Sequence, residues 1–542
     1  MNRSPRPHVA RFVLLSAATF AVAYPAEIAS TAAGIHLHAA TWALLVLKTL
    51  VEVVASAYGI AFFVSAIAFV VMRETTPTVA GNQARASWPS VGILYLCCDD
   101  ADWSALESLT RLTYAGPLHL VIHDDSRDFA ARERVDAMAA SLAARRAWHV
   151  RVLRRPQRTG GKAGAVNYAL DHSADDYAYF LLCDNDSTVL APNTIEQALA
   201  RVGPGVGVVQ FRSVPVDNPT YCTVNRWLSE SIGAFHAFLA PAARYGWMPF
   251  IGHNALLQTQ AVREVGGLTP DFFSDDLDLT VRLNLAGHRV IYAPEIAMGE
   301  KHPPSYAAFR KRSYKWAYGC VQTLRAHWRT VLTSPRFTLP EKLSFFQFAG
   351  FYCLQSVLLV YLAFALLVMP LGVLGRFEPR LVPCVLVGIA LVGLVYAPLL
   401  AFYVKTPSAR HRGWLATLLF CGLVYGGTDF VVLRGVTDAF RRKRRAWIPT
   451  NLVSANAVGP SIFAEAAFGV ALLLVPILLF PELLYLLAWF VFAGKFLFGP
   501  ALALVYRDHP HAPVTRVPDH DPDRPAVVLD RNAGASLEGV GV

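Results

Sequence analysis

Long runs of apolar residues are separated in this chain by one long stretch of mixed polarity. A helix needs about 20 apolar residues to cross ~30 Å of hydrocarbon. Runs of that length predict six spans, at 12–34, 43–72, 347–373, 382–403, 463–480 and 482–505. The pattern therefore predicts a multi-pass integral membrane protein.

Two apolar segments allow more than one interpretation. The run at 12–34 follows three arginines and contains Ala-Val-Ala at 21–23, so a cleaved signal peptide is the alternative to a first span. The segment 414–433 is broken at Gly426-Gly427-Thr428-Asp429 and has positive charge on both sides. One simple span cannot place both ends on the cytoplasmic side. We therefore expect an interfacial or re-entrant helix at 414–433.

The stretch between the second and third apolar runs is long enough for one α/β domain. Basic residues at its flanks and in the loop 405–412 place this domain on the cytoplasmic face of the membrane. The expected location of the protein is the inner membrane. The predicted organisation is an N-terminal pair of spans at 1–87, a cytoplasmic domain at 88–335, a helical membrane region at 336–505 and a disordered tail at 506–542.

Three short apolar runs inside this domain read as buried strands. Acidic residues begin within three positions after each run: Asp99 and Asp100 after 91–96, Asp124 and Asp125 after 118–122, and Asp184 and Asp186 after 177–183. Helical stretches such as 128–144 lie between them, and this alternation favours a mostly parallel sheet. Because ligands of such sheets bind outside the carboxyl ends of the strands, the three acidic clusters should face one crevice.

Composition narrows the class of protein. The 542 residues are 54% hydrophobic and only 16% charged, against roughly 25% charged in an average soluble domain. This excludes an ordinary soluble enzyme and a disordered chain. The net charge of +10 is assigned to cytoplasmic loops, so no nucleic-acid partner is expected. The eight cysteines have neither a disulfide-scaffold nor a zinc spacing and are expected to be reduced.

Three local motifs suit a phosphate-bearing substrate or a catalytic carboxylate. Asp184 and Asp186 form a D-x-D whose carboxylates can share Mg²⁺ or Mn²⁺ with phosphate oxygens. The loop 160–164, with Lys162, precedes a helix and suits an anion. Asp275 and Asp276 follow Ser274 at a predicted helix start. Taken alone, each also has a plain structural explanation, as a surface turn, a flexible turn and a helix cap.

In this order, the motifs resemble the membrane-embedded family 2 glycosyltransferases, the processive group of cellulose, hyaluronan and chitin-type synthases. The resemblance covers residues 90–325 and includes Arg312–Trp316, which stands where the family has Gln-x-x-Arg-Trp. It implies an α/β domain of the GT-A type inserted between transmembrane helices. It also implies a nucleotide-sugar donor, a saccharide acceptor, nearby membrane lipid and a divalent metal, Mg²⁺ or Mn²⁺.

The resemblance implies a role for each motif. By position, the nucleotide and its sugar would contact Asp99, Asp100, Asp124, Asp125, Lys162, Arg312 and Lys315; the metal would bind Asp184 and Asp186; the general base would be Asp276; and the acceptor sugar would pack on Trp316. For Trp316 the alternative is anchoring at the membrane interface.

The chain also departs from that family. Cys97-Cys98-Asp99-Asp100 stands where most members have Thr-Tyr-Asn-Glu, and Lys315 replaces an arginine whose bidentate fork a lysine lacks. These differences indicate a divergent branch, so no particular polymer is inferred. Trp447–Thr450 is similar to the gating segment of such synthases, and a juxtamembrane anchor is the alternative.

The implied function is inverting transfer of a sugar, from a UDP-sugar, to a growing β-linked polysaccharide, coupled to its export and with accessory export subunits as partners. Two alternatives stay open: single addition onto a polyprenyl phosphate or membrane lipid, and a non-catalytic transporter or scaffold of the same shape. Charged residues within the apolar runs would face a polar channel, namely Glu27, Lys48, Glu52 and Lys495. For Lys48, snorkelling from a helix end is the simpler account.

Overall fold

The three-dimensional structure is a computed structural model. It describes residues 39–72, 87–145, 149–173, 177–216, 223–270, 272–301, 303, 305–368, 396–407, 410, 412–443, 461–479 and 483–505. The predictions for 12–34, most of 382–403, 447–450 and 506–542 lie outside these residues.

Eight strands form the sheet of the central domain. They are β1 (Val91–Cys97), β2 (Leu118–Asp124), β3 (His149–Leu153), β4 (Tyr179–Cys183), β5 (Thr188–Val189), β6 (Val206–Pro215), β7 (Ala255–Gln258) and β8 (Arg289–Glu300). Their order in the sheet is β3-β2-β1-β4-β7-β6-β8-β5. Four of the seven strand pairings are parallel, and β7 runs antiparallel to both neighbours. The predicted α/β class with a mostly parallel sheet is confirmed.

Helices cover both faces of this sheet and continue into an apolar region. They are α1 (Ala39–Val71), α2 (Trp103–Leu109), α3 (Phe129–Arg145), α4 (Gly161–Ser173), α5 (Thr194–Leu199), α6 (Thr223–Tyr245), α7 (Thr259–Glu264), α8 (Asp275–Ala286), α9 (Tyr306–Thr333), α10 (Leu339–Ala349), α11 (Phe351–Val368), α12 (Trp414–Gly426), α13 (Asp429–Phe440), α14 (Ser461–Leu479) and α15 (Leu483–Val505). On β1, Leu94 packs with residues of α4, whereas Ile93 and Tyr95 pack with residues of α2 and α3. Burial on both faces accounts for the unbroken apolar pattern of this strand.

The apolar helices include candidate membrane spans. Within the described residues, Val53–Val71 is long and apolar enough to cross a membrane, and up to three spans result if each of two bent helix pairs is counted as one. The bends are 52° between α10 and α11 and 41° between α12 and α13. The second bend falls at Gly427-Thr428, within the interruption noted in the sequence. A re-entrant course for 414–433 stays a prediction.

Lys495 has a protein partner among these apolar helices. Its Nζ lies 2.6 Å from Oδ2 of Asp429, a residue buried on α13. The ion pair stabilises the Lys495 ammonium in an apolar setting, and the expectation that Lys495 faces a polar channel stays a prediction. Glu27 and the side chains of Lys48 and Glu52 lie outside the described residues.

Candidate active site

One cavity of about 470 Å³ lies at the carboxyl ends of β1, β2 and β4. These strands are neighbours in the parallel part of the sheet, so their ends deliver polar residues to a single edge. Of the residues predicted from the sequence, those that line the cavity are Asp100, Asp125, Lys162, Asp184, Asp186, Asp276, Arg312, Lys315 and Trp316. Motifs that are more than two hundred residues apart in sequence therefore share one site.

Asp99 and Asp124 lie outside the cavity lining and bind other parts of the protein. Asp99 has a left-handed backbone, with φ of 64°, and its Oδ1 accepts hydrogen bonds from the backbone N–H groups of Arg127 and Asp128 at 2.7 and 3.0 Å. The buried Oδ2 of Asp124 accepts from Arg154 Nε at 2.7 Å. That both contact the nucleotide stays a prediction; in the structure the Asp99 carboxylate orders the loop after β2, and the Asp124 carboxylate pairs with Arg154, directly after β3.

Asp125 is neutralised by an arginine that the sequence did not single out. Arg155 Nε and Nη2 donate to the two carboxylate oxygens of Asp125 at 2.9 and 2.6 Å, in a bidentate fork. Arg155 Nη2 also donates to the carbonyl of Gly161 at 2.9 Å. The arginine thus fixes the glycine-rich loop against the end of β2. Arg154 and Arg155 directly follow a strand, and that position was the signal available in the sequence.

The glycine-rich loop brings an ammonium to the D-x-D. Gly160 and Gly161 both have positive φ, at 72° and 57°, which side chains with a Cβ rarely adopt. The turn leads into α4, where Lys162 Nζ donates to Asp184 Oδ1 at 2.5 Å. Burial opposes the charge of Lys162, but Asp184 and Asp275 outweigh it and raise the pKa of the ammonium. Lys162 therefore stays a cation beside the acidic cluster.

Two carboxyl groups in and beside the D-x-D have raised pKa values. Burial raises the pKa of Asp186 to about 7, and the negative charge of Glu300 is the second cause of this increase. Burial also raises the pKa of Asp100 to about 7, with Asp186 and Asp184 adding to the shift. Asp184 behaves differently, because Lys162 and His253 outweigh its burial and lower its pKa. Closely spaced carboxylates that resist full ionisation gain from an added cation.

His253 and Glu300 also line the cavity, and neither was predicted as a site residue. The His253 imidazole lies 3.8 Å from Asp184 Oδ2 through Nδ1 and 3.3 Å from Glu300 Oε2 through Nε2. Burial disfavours the imidazolium, but Glu300 and Asp184 outweigh burial and raise the pKa of His253 to about 9. His253 lies in the polar segment Gly252-His253-Asn254, whereas nothing in the sequence around Glu300 pointed to the site.

The donor set fits a divalent cation that is shared with a substrate. Within the described part of the chain, no three His, Cys, Asp or Glu side chains are arranged to hold a metal by themselves. Mg²⁺ is usually held by one or two carboxylates together with substrate phosphates, so a complete protein cage is not required. The oxygen donors of Asp184 and Asp186, and the raised pKa of Asp186, fit such an ion.

Asp276 lies in the cavity at the beginning of α8. The predicted helix is present, but the Ser274 side chain makes no capping hydrogen bond. Burial, followed by the charge of Asp275, raises the pKa of Asp276 to about 7. Gly252 has φ of 91°, and a Cβ at that position would lie 3.0 Å from Asp276 Oδ2. Glycine therefore leaves space beside the carboxylate.

The segment Arg312–Trp316 lies on α9 and forms the opposite wall of the cavity. The Arg312 guanidinium is stacked between two aromatic rings, 4.5 Å from the Trp316 centroid and 5.7 Å from that of Phe309. Burial lowers the pKa of Lys315 more than Asp275 and Asp276 raise it. An arriving anion would therefore stabilise the Lys315 ammonium.

Three contacts hold α9 against the start of α8. Gly319 packs so closely on Ser274 that a Cβ would lie 2.7 Å from the Ser274 backbone nitrogen. Gln322 Oε1 accepts a hydrogen bond from the Phe273 N–H at 3.1 Å. His327 Nε2 lies 2.7 Å from Asp278 Oδ1. The base candidate and the Arg312–Trp316 segment are thus fixed in one unit.

Replacing Gly319 by alanine tests this packing. The new methyl group must displace α9 from Ser274, which should lower the free energy of unfolding by about 1–3 kcal/mol. The higher helix propensity of alanine offsets up to ~1 kcal/mol of this loss. We expect a lower Tm and lower activity of the purified protein. Gly494→Ala on α15 is the matched control, because a Cβ there meets no atom within 4 Å. A Gly319→Ala protein as stable and active as Gly494→Ala would contradict the close contact.

Residues 179–502 match the family described as glycosyl transferase family group 2. Because this match covers more than half of the chain, the chain belongs to that family. The resemblance inferred from the motifs is confirmed at this level.

Curated relatives include plant and cyanobacterial proteins. The chain is 26% identical over 356 residues to probable glucomannan 4-beta-mannosyltransferase 15 of Arabidopsis thaliana, covering 61% of this chain and 64% of that protein. It is 26% identical over 246 residues to probable glucomannan 4-beta-mannosyltransferase 1 of the same plant, covering 44% of each. It is 26% identical over 401 residues to the beta-monoglucosyldiacylglycerol synthase of Synechocystis sp., covering 70% of this chain and 78% of that protein. The chain thus spans less than two thirds of the length of each of these two plant relatives.

Among solved structures, the chain is similar to a mannosyltransferase from Pyrobaculum calidifontis in complex with GDP-Man and Mn²⁺. The sequence identity is 16%, the TM-score is 0.45, and the similarity covers 74% of this chain and 99% of that one.

Proposed function

We propose that this protein is an inverting glycosyltransferase that moves a sugar from a nucleotide-sugar donor, a UDP-sugar, to a growing β-linked polysaccharide. The supporting observation is that one cavity contains a cationic side, an acidic D-x-D and a carboxylate with a raised pKa. Family membership supports glycosyl transfer, and the similarity to glucomannan mannosyltransferases supports a glycan acceptor.

The cationic side of the cavity suits the donor diphosphate. Lys162, Arg312 and Lys315 lie on α4 and α9 around the same space. In a site with little water, fixed cations stabilise the negative charge that develops on a departing diphosphate. A divalent ion on Asp184 and Asp186 would supply further charge stabilisation to the phosphate oxygens. Asp100 and the Asp125–Arg155 pair lie at the strand ends, where we place the nucleoside.

Asp276 is the general base in this proposal. An acceptor hydroxyl is a poor nucleophile until its proton is removed, and a positioned base contributes about 10²–10⁴-fold to the rate. The attack would occur opposite the diphosphate, which inverts the anomeric carbon as in inverting glycosidases. Trp316 offers an apolar ring face for the acceptor sugar, stacked on its other side by Arg312.

We also propose that catalysis takes place at the cytoplasmic face of the inner membrane. The candidate spans and the basic loops support this location. Export of the product along the helices, with accessory subunits, belongs to the same proposal.

Transfer of a single sugar to a membrane lipid is the second candidate function. It is favoured by the glycolipid synthase relative, whose similarity extends over 78% of that protein and 70% of this chain. The cavity chemistry described above serves both acceptors equally.

One assay tests the donor and separates the two acceptors. Membranes containing the protein are incubated with labelled UDP- and GDP-sugars plus Mg²⁺ or Mn²⁺, and the products are extracted with organic solvent and analysed for linkage. Insoluble β-linked polymer made from a UDP-sugar is the expected result. A product that stays at one sugar on an extractable lipid supports the second function. Absence of both transfer and donor hydrolysis in purified protein would overturn the proposal and favour a non-catalytic role.

The pH dependence of the reaction follows from the raised pKa of Asp276. Only the ionised carboxylate accepts a proton, so kcat/KM should increase up to a pH of about 7 and then level off. Because the charge of Asp275 contributes to this shift, Asp275→Asn should move the rising limb to lower pH. Steady-state kinetics at constant ionic strength provide the measurement. A profile that stays flat on both sides of neutral pH would be incompatible with Asp276 as the base.

A further inference from the structure

A buried ion pair joins α9 to the apolar helices on the side facing away from the cavity. Arg310 and Glu465 have side chains that are 3% and 0% exposed. Arg310 Nη1 donates to Glu465 Oε2, and Arg310 Nη2 donates to Glu465 Oε1, both at 2.6 Å. The guanidinium also donates to Ser461 Oγ at 2.9 Å and to the carbonyl of Gly427. This four-bond arrangement leaves Arg310 little freedom.

The pair lies close to the catalytic segment along α9. With about 3.6 residues per helical turn, Arg310 and Arg312 point to nearly opposite sides. Arg310 therefore contacts α14 and the α12–α13 turn, while Arg312, Lys315 and Trp316 line the cavity. A rotation or shift of the first turns of α9 would move all three cavity residues.

Neighbouring contacts fix the same end of α9 by shape. Phe309 packs edge-on against Tyr425 with ring centroids 5.1 Å apart. The Tyr306 hydroxyl fills a space between α12 and α15 so tightly that a Cβ at Gly499 would lie 2.8 Å from it. These contacts set how deeply the helix lies, whereas the Arg310 fork adds a directional constraint on its rotation.

A stabilising role explains this pair poorly. Replacing a buried ion pair by apolar side chains of similar volume is often neutral or stabilising, because desolvation offsets the attraction of the charges. We propose that Arg310 is a positioning residue, whose fork on Glu465 fixes the rotation of α9 so that Arg312, Lys315 and Trp316 meet the donor and the acceptor. This inference rests on the proposed glycosyl transfer.

The double variant Arg310→Met/Glu465→Leu separates positioning from folding. It removes both charges, so no buried charge is left unpaired, and we expect a Tm near that of the wild type. Lys162 and the strand-end residues do not depend on α9, whereas Arg312 and Lys315 do, so UDP should still bind but with a higher Kd than in the wild type. We expect kcat to fall about 10²-fold, the loss that a misplacement of ~1 Å can cause. Arg310→Lys keeps the charge but loses the fork, so it should show an intermediate kcat.

A second ion pair among the apolar helices supplies the matched control. Lys495 and Asp429 join α15 to α13, and neither is among the hydrogen-bond partners of the Arg310 guanidinium, which are Gly427, Ser461 and Glu465. Lys495→Met/Asp429→Leu should retain the wild-type kcat. The inference is overturned if Arg310→Met/Glu465→Leu keeps the wild-type kcat, if the control pair loses as much activity, or if Arg310→Lys is indistinguishable from wild type. A wild-type protein without transfer activity would instead overturn the proposed function.

Discussion

Replacing Asp276 by asparagine is expected to lower kcat by about 10²–10⁴-fold while leaving donor binding nearly intact. Asparagine keeps the size of the side chain and the space beside Gly252, but it cannot take a proton from the acceptor. The donor diphosphate is expected to bind to Lys162, Arg312 and Lys315, which the substitution leaves in place. The measurements are turnover of labelled donor and calorimetric titration with UDP.

A surface carboxylate provides the control for this substitution. Asp171 is exposed on the same domain, so Asp171→Asn should leave both turnover and UDP affinity unchanged. An Asp276→Asn protein with near wild-type turnover would remove the general-base assignment. Loss of UDP binding together with turnover would show that the variant disturbs the site rather than the proton transfer.

Local backbone geometry decides which member of each adjacent acidic pair lines the cavity. Asp100 and Asp125 line it, whereas Asp99 binds the loop after β2 and Asp124 binds Arg154. Asp99 has a left-handed rather than an extended backbone, and Asp124 is the last residue of β2. The sequence showed the pairs but not this geometry, and contact of Asp99 and Asp124 with the nucleotide stays a prediction.

Parallel strands made the main part of the site predictable from the sequence. Apolar runs that end in carboxylates and alternate with helices place those ends at one edge, and Asp184 and Asp186 lie there. The short antiparallel strand β7 was not predictable, because Ala255–Gln258 has too few residues to show a period. His253 lies just before β7 in the chain, and Glu300 is the last residue of β8.

Pairing between distant charges also lies beyond local patterns. Lys495 was recognised as costly in an apolar setting, yet its partner Asp429 lies on another helix. Arg310 and Glu465 are separated by 155 positions, and only packing of α9 on α14 brings them together. A sequence shows that such a charge needs a partner, but the identity of the partner is set by tertiary structure.

Asp184→Asn is expected to abolish the metal dependence of UDP binding. In the wild type, UDP should bind more tightly with Mg²⁺ or Mn²⁺ than with a chelator, because a shared ion neutralises both the D-x-D and the diphosphate. Mutation of a residue that only supports a metal ligand typically lowers metal affinity about 10–100-fold. Loss of a ligand itself should lower it by at least as much. Calorimetric titration with UDP, with and without the ion, gives the ratio of the two Kd values.

Lys162→Met distinguishes this effect from the loss of a neighbouring charge. Asp184 is paired with Lys162 at 2.5 Å, so removing either partner changes the local potential. The lysine binds phosphate directly in our proposal, and its replacement should weaken UDP binding while a response to the metal remains. Asp184→Asn should instead bind UDP equally with the ion and with the chelator. If the ratio of Kd values in Asp184→Asn equals that of the wild type, the metal does not bind at the D-x-D.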